Sequence, residues 1–215
     1  MKMKTILLLV IVSAISFCTI GQPKGVAVSH YIFPAFMKGT VLMKTGLTNE
    51  AMLNYNLILE EMISDTKGTK LALNQLDLVD TVFVADRKFV VFNKKFIELL
   101  YHSTYELYAA HKCKIKDSGK PAAYGGTSQI SSAHSFYFEG EQLYELALPV
   151  GIEIFPSTDY WLKKDGKMMY FINLRQLSKV FSTKEEIFTS YVKKNEVKYE
   201  NEKSIIDLIR YLETN

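Results

Sequence analysis

The sequence predicts an α+β protein that is mainly antiparallel β, a sandwich or partly open barrel, ending in a C-terminal pair of short helices. Three observations carry this expectation. Apolar and polar residues alternate with period 2 through most of 36–173, as half-buried strands require. Turn residues interrupt the alternation roughly every 8 to 12 residues, a spacing typical of sandwiches and barrels. After Leu174 the apolar period lengthens to that of a helix.

The elements follow in order. Phe36–Met43 reads as a strand closed by Lys44–Thr45–Gly46. Met52–Met62 alternates throughout, with Leu53, Tyr55, Leu57 and Leu59 on one face, and reads as one strand. Asp65–Thr69 is a turn around Gly68, and Lys70–Asn74 a short strand. Val79–Ala85 and Lys88–Phe92 flank a hairpin at Asp86–Arg87 and are rich in β-branched and aromatic residues. Phe96–Tyr101 and Tyr105–Ile115 follow. In the second, Leu107, Ala109, His111, Cys113 and Ile115 share a face, and Lys112, Lys114 and Lys116 form a basic outer end. That end suits an exposed edge guarded by lysines. Residues 117–132 are a weakly patterned loop, and such long loops are uncommon in compact domains. Ala133–Phe138 and Gln142–Leu148 flank a turn at Glu139–Gly140–Glu141. Thr158–Lys163 and Lys167–Ile172 flank Asp165–Gly166, whose residues both tolerate the positive φ of a tight hairpin. Leu174–Phe181 is short and helical. Ser182–Thr183–Lys184–Glu185 reads as a capping box opening a helix with Ile187, Phe188, Tyr191 and Val192. The last helix, about 202–213, carries Ile205, Leu208, Ile209 and Leu212 on one face.

The first 21 residues read as a secretory signal peptide. Lys2 and Lys4 precede the apolar run Ile6–Val12, and Thr19 and Gly21 are small residues at −3 and −1 of a cut before Gln22. The run is short for a membrane span and diluted by Ser13, Ser16 and Thr19. Lipidation at Cys18 is the alternative route to an envelope location, disfavoured by the bulky Phe17 before it. The expected organisation is a signal peptide over 1–21, an approach segment over 22–35, an antiparallel β domain over 36–173, and a helical segment over 174–215 packed on it. Removing the leader lowers the net charge from +3 to +1 and leaves Cys113 as the one cysteine. An intramolecular disulfide is thereby excluded, and the electrostatic drive toward nucleic acid largely disappears. The mature chain is expected to carry no integral membrane span.

Five segments carry a resemblance. Gly39–Thr40–Val41–Leu42–Met43–Lys44–Thr45–Gly46, Leu53–Asn54–Tyr55–Asn56 and Val79–Asp80–Thr81–Val82 lie in the strand region. Leu177–Ser178–Lys179–Val180–Phe181 and Tyr191–Val192–Lys193–Lys194–Asn195 lie near the C-terminus. In these runs the chain resembles exported β-rich proteins of Bacteroidota to which no activity is assigned. The resemblance implies an envelope or secreted location and supplies no catalytic residues.

Motifs for chemistry are sparse. His111 and Cys113, two apart, share a strand face, and both residue types ligate transition metals. Packing of a small thiol beside a hydrogen-bonded imidazole explains them equally. His134 lies among Ser131, Ser132 and Ser135, but a catalytic triad assembles in space and not in sequence, and no Gly-x-Ser-x-Gly elbow occurs. Gly125–Gly126–Thr127–Ser128 lacks the lysine of a phosphate loop. No cofactor or metal motif is present. The aromatic residues Tyr137, Tyr144, Tyr160, Trp161 and Tyr170 cluster on the late hairpins, where they can line a ligand groove or pack a sheet. The expected function is a non-catalytic binding or scaffolding domain of the cell envelope or periplasm, its partner an envelope protein, a glycan or a small ligand. The alternatives are a hydrolase-like enzyme built around the 117–132 loop and a barrel carrying an apolar ligand.

Overall fold

A computed structural model describes residues 29–117, 120–121, 127–128, 144–147 and 152–215. The leader with Cys18, His134, Tyr137, the turn expected at Glu139–Gly140–Glu141 and most of the 117–132 loop lie outside the described residues. The alternating segments form twelve strands: β1 (Met37–Met43), β2 (Thr48–Asn56), β3 (Glu61–Thr66), β4 (Thr69–Ala72), β5 (Val79–Val84), β6 (Arg87–Phe92), β7 (Lys95–His102), β8 (Glu106–Asp117), β9 (Lys120–Pro121), β10 (Thr127–Ser128), β11 (Ile152–Lys164) and β12 (Lys167–Phe171). Ten of them make one antiparallel sheet in the order β12-β11-β8-β7-β6-β5-β1-β2-β3-β4, and β9 pairs with β10 separately. Three short helices follow, α1 (Leu174–Val180), α2 (Glu185–Lys194) and α3 (Glu202–Thr214). The protein is thus α+β and mostly β, with one open sheet and three terminal helices instead of two.

The inward-facing residues of the strands build two cores. Val41, Leu53, Tyr55, Met62, Val82 and Phe89 pack together from β1, β2, β3, β5 and β6. Leu107, Tyr160, Leu162 and Phe171 pack against Leu177, Phe188, Ile205, Leu208 and Leu212 of the helices. The helices therefore cover the β8-β11-β12 end and reach the last residues of β7. The rest of the inner face is buried because the sheet bends back on itself. The Tyr55 hydroxyl donates to the His111 carbonyl at 3.1 Å. The Cys113 amide donates to the Leu57 carbonyl at 3.0 Å. Both contacts join β2 and its following turn to β8, across the four strands that lie between them in sheet order. The sheet is curled but not closed.

Local chemistry accounts for the departures from expectation. Met52–Met62 is two strands, because the Asn56 side chain accepts from the Ile58 and Leu59 amides at 3.0 and 3.1 Å and turns the chain. Such a turn needs no Gly or Pro, and Glu60 takes the positive φ of 57°. The β5–β6 hairpin turns one residue earlier than expected, at Ala85–Asp86 with Ala85 at φ 53°, which moves Arg87 into β6. The Asp165–Gly166 hairpin forms with both residues at positive φ, 52° and 74°. β8 is paired on both sides only over its first half, Glu106–Ala109; its lysine-bearing half is laddered to β11 alone, with the Cys113 amide reaching the Leu57 carbonyl on the other side. The Ser182 capping box does not form, since Ser182–Lys184 is a 3-10 turn and α2 lacks a side-chain cap. Asn173 and Asn201 cap α1 and α3 instead, accepting from the Gln176 and Ser204 amides at 2.9 and 3.0 Å.

One position shows how tightly the curl is packed. A Cβ on Gly39 in β1 would lie 2.6 Å from the Phe83 carbonyl oxygen and 2.9 Å from Leu53 Cδ1. Gly46 has φ +85° but open space around it. Gly39→Ala is therefore expected to destabilise the protein by about 3 kcal/mol, the upper end of the usual scale for overpacking, because the nearest atom is backbone. Gly46→Ala is expected to cost about 1 kcal/mol from conformation alone. Urea denaturation of the two variants beside the parent chain measures the difference.

Candidate functional site

Two assemblies of polar and aromatic side chains stand out, one on each face of the sheet. The first grows from strand register. Phe89 of β6 lies opposite Glu98 of β7, and Glu98 lies opposite Ala109 of β8. Arg87 and His111, each two residues along from those partners, point to the same inner face. Thr158 of β11 lies opposite His111. The Arg87 guanidinium grips the Glu98 carboxylate with both Nε (2.5 Å) and Nη2. His111 Nε2 lies 2.6 Å from Glu98 Oε2 and 3.3 Å from Arg87 Nη2. Its Nδ1 lies 3.4 Å from the Thr158 hydroxyl. Glu98 is 4% exposed and His111 8%. Arg87 also sits over the rings of Phe33 and Phe89, 5.7 and 5.9 Å from their centroids.

The electrostatics follow from this packing. Burial pushes the Glu98 carboxyl up, but the hydrogen bonds from His111 and Arg87, together with their charge, outweigh it and hold Glu98 below the usual carboxylate range. Glu202, the first residue of α3, faces the same cluster. Burial raises its carboxyl, the Glu98 charge raises it further, and His111 and Arg87 pull it only partly back. One carboxylate is thus held ionised and its neighbour is biased toward the protonated form. The cluster contains no activated nucleophile. Both His111 ring nitrogens are engaged by Glu98, Arg87 and Thr158, and burial pushes the Cys113 thiol up, away from the reactive thiolate. Among the described residues no group of three His, Cys, Asp or Glu side chains is placed to hold a metal ion.

The second assembly lies on the outer face. Trp161 of β11 is opposite Tyr170 of β12 and opposite Tyr108 of β8. The Trp161 ring is 5.0 Å from that of Tyr170, inclined 50°, and 4.9 Å from that of Phe92, inclined 68°. Tyr170 is 47% exposed. Beside the rings, Asp159 accepts from both the Lys112 ammonium and the Tyr170 hydroxyl, each at Oδ2. Burial, the hydrogen bond to Asp159 and that residue's charge push the Tyr170 phenol up to about 12, so it remains a donor. Lys95 pairs with Glu60 at 2.7 Å, and Glu60 is close enough to add to the Tyr170 shift.

The residues singled out in the sequence separate between these places. His111 joins the buried cluster, and Cys113 lies two residues along on the same strand. Trp161 and Tyr170 meet on the outer face. Tyr160 does not join them: it is 1% exposed, in the core, with its ring stacked 5.5 Å from Phe171. Alternation forces this, since neighbours on a strand face opposite ways. Tyr144 is elsewhere again, its carbonyl accepting from the Tyr31 hydroxyl at 2.9 Å and its own hydroxyl meeting Glu61. His134 and Tyr137 lie outside the described residues. Sequence reasoning missed Arg87, Glu98, Glu202 and Phe92. A signal existed for Glu98, a charge sharing parity with inward Phe96. Arg87 was hidden by the turn placed on it.

Two measurements test the buried cluster. Glu98→Ala leaves Arg87 and His111 without their anion and is expected to cost about 3 kcal/mol, the low end for a broken buried pair, because the Arg87 side chain stays 26% exposed. Denaturant titration at neutral pH reads it. Glu202 has a raised carboxyl pKa in the fold, so its contribution is fullest below the unfolded carboxylate value and is lost as pH rises through the folded one. The stability of Glu202→Gln relative to the parent should therefore increase as pH rises above the ordinary carboxylate range, and a flat difference by calorimetry would refute the placement. Glu98 works in the opposite sense: its contribution is present at neutral pH and lost as pH falls through its lowered value.

Comparisons with protein-family models, with curated proteins and with solved structures return no match, and the functional reading rests on this geometry.

Proposed function

We propose that the protein is exported and acts outside the cytoplasm as a non-catalytic binding domain, with the outer aromatic face of β6, β11 and β12 as its contact surface. The observation that carries this reading is the meeting of Phe92, Trp161 and Tyr170 on a partly exposed sheet face beside the Asp159–Lys112 pair. Exposed aromatic side chains with a polar handle supply rigid contact area at small entropic cost. The inner face supports the same reading by contrast. Its charged groups are satisfied by one another, and Leu53, Met62 and Phe89 fill the curl at 0% exposure, which speaks against a carried apolar ligand. The leader, with its Lys2 and Lys4 ahead of an apolar run, supports export. No helix among the described residues is long and apolar enough to cross a membrane.

Two results are expected. Expressed with its leader and fractionated, the protein should be recovered outside the cytoplasm with Gln22 as its first residue; an intact Met1 in the cytoplasmic fraction contradicts export. The purified chain should turn over no ester, glycoside or peptide in a substrate panel. Turnover that a single substitution abolishes would replace the binding reading with an enzymatic one.

A further inference from the structure

We propose that the ligand of the outer aromatic face is a neutral saccharide, an inference that rests on the binding-domain reading. Three features of the face select this chemistry. The first is the rings. A pyranose presents one face of C–H bonds, whose slight positive charge is attracted to the negative face of an aromatic ring. Trp161 and Tyr170 offer such faces, and their 50° inclination, with Phe92 at 68° to Trp161, makes a faceted surface. A flat base or peptide plane would stack on only one of these rings, whereas a puckered sugar chain can rest across them.

The second feature is the polar set. Sugar hydroxyls donate and accept at once, so they need both kinds of partner within reach of the ring. Lys112 and Lys95 supply donors, Asp159 and Glu60 supply acceptors, and the Tyr170 hydroxyl does both. Asp159 is held by two donors that both end on Oδ2. Among the described residues Oδ1 accepts no hydrogen bond, and a carboxylate has lone pairs to spare beyond two bonds. The Asp159 side chain is 13% exposed and that of Lys112 38%, which fixes the acceptor while leaving the donor open.

The third feature is charge. Beside the rings Lys112 is matched by Asp159 and Lys95 by Glu60, so the charges that frame them balance. A phosphate, a nucleic acid or a charged peptide would need an excess of one sign. A neutral polyol needs none.

Trp161 is the one tryptophan in the chain, so its emission reports directly from the proposed site. Titration of the exported protein with neutral oligosaccharides (gluco-, manno- and N-acetylglucosamine-oligomers) should change that emission saturably for at least one series. The affinity should hold at roughly 0.5 M salt, where exposed charges are screened. Tyr170→Ala and the gentler Asp159→Asn should each weaken it about tenfold or more, as expected when an anchoring contact is truncated. Tyr211→Ala, on the exposed side of α3, should not. Thermal unfolding of each variant separates lost binding from lost fold, and Tyr170→Phe, which keeps the ring, should retain part of the affinity. A saturable response to an acidic or basic peptide, or to an anionic polysaccharide, that salt abolishes and Tyr170→Ala removes would overturn the saccharide and keep the binding surface. Silence of Trp161 toward saccharides and peptides alike would overturn both.

Discussion

Ten strands expose more inner face than three short helices can cover, and the rest of the structure follows from that shortage. The helices bury the β8-β11-β12 end. The remaining face must bury itself, so β2 and its turn fold across to β8, where Tyr55 reaches the His111 carbonyl and the Leu57 carbonyl takes the Cys113 amide. β1 lies so close to β5 that a side chain has no room at Gly39, against Phe83 and Leu53. The bend also brings charged residues from separate strands into one dry region. Arg87, Glu98 and His111 solve the resulting problem together, because a buried charge is tolerable only when paired and hydrogen-bonded.

The two faces divide the labour of the side chains. Inward positions of β6, β7 and β8 hold the ion cluster and seal it, with Glu202 reaching it from the start of α3. Outward positions of β11 and β12 hold the rings that remain partly in water. The same alternation that sinks Tyr160 into the core lifts Trp161 out of it. Helix α3 is tied at its far end too, where Glu213 accepts from the Tyr105 amide at 2.9 Å and from the Tyr101 hydroxyl at 2.5 Å. The helical layer and the sheet are thus joined by a carboxylate at the C-terminal end of α3, while Glu202 faces the ion cluster from the other end.

Much of the sheet was legible because alternation is local. β1, β5, β8 and the Asp165–Gly166 hairpin can be read from the residues alone, and so can the inward parity of His111. What could not be read depends on distance along the chain. The Asn56 turn interrupts an alternation that continues on both sides of it. The place of β8 in the middle of the sheet depends on β11, whose run extends back through Pro156, a residue that argues against an interior strand until its partner Cys113 is seen bonding to Leu57 instead. Glu98 and Arg87 become a pair only once the hairpin turn falls on Ala85. The aromatic face was half visible: Trp161 and Tyr170 stood out, but Phe92 joins them from a strand that is not their neighbour.

The strand order has a consequence for how the chain reaches this state. β1 to β4 form one meander and β5 to β8 another, each built of hairpins between neighbours in sequence, and the sheet ladder joins the two through β1 and β5. Hairpins close in microseconds, whereas pairings between distant segments must first overcome the entropy of a long loop. Each meander can therefore assemble early and by itself. The pairings that span long loops are those of β1 with β5 and of β8 with β11, and it is the first that brings Tyr55 within reach of His111.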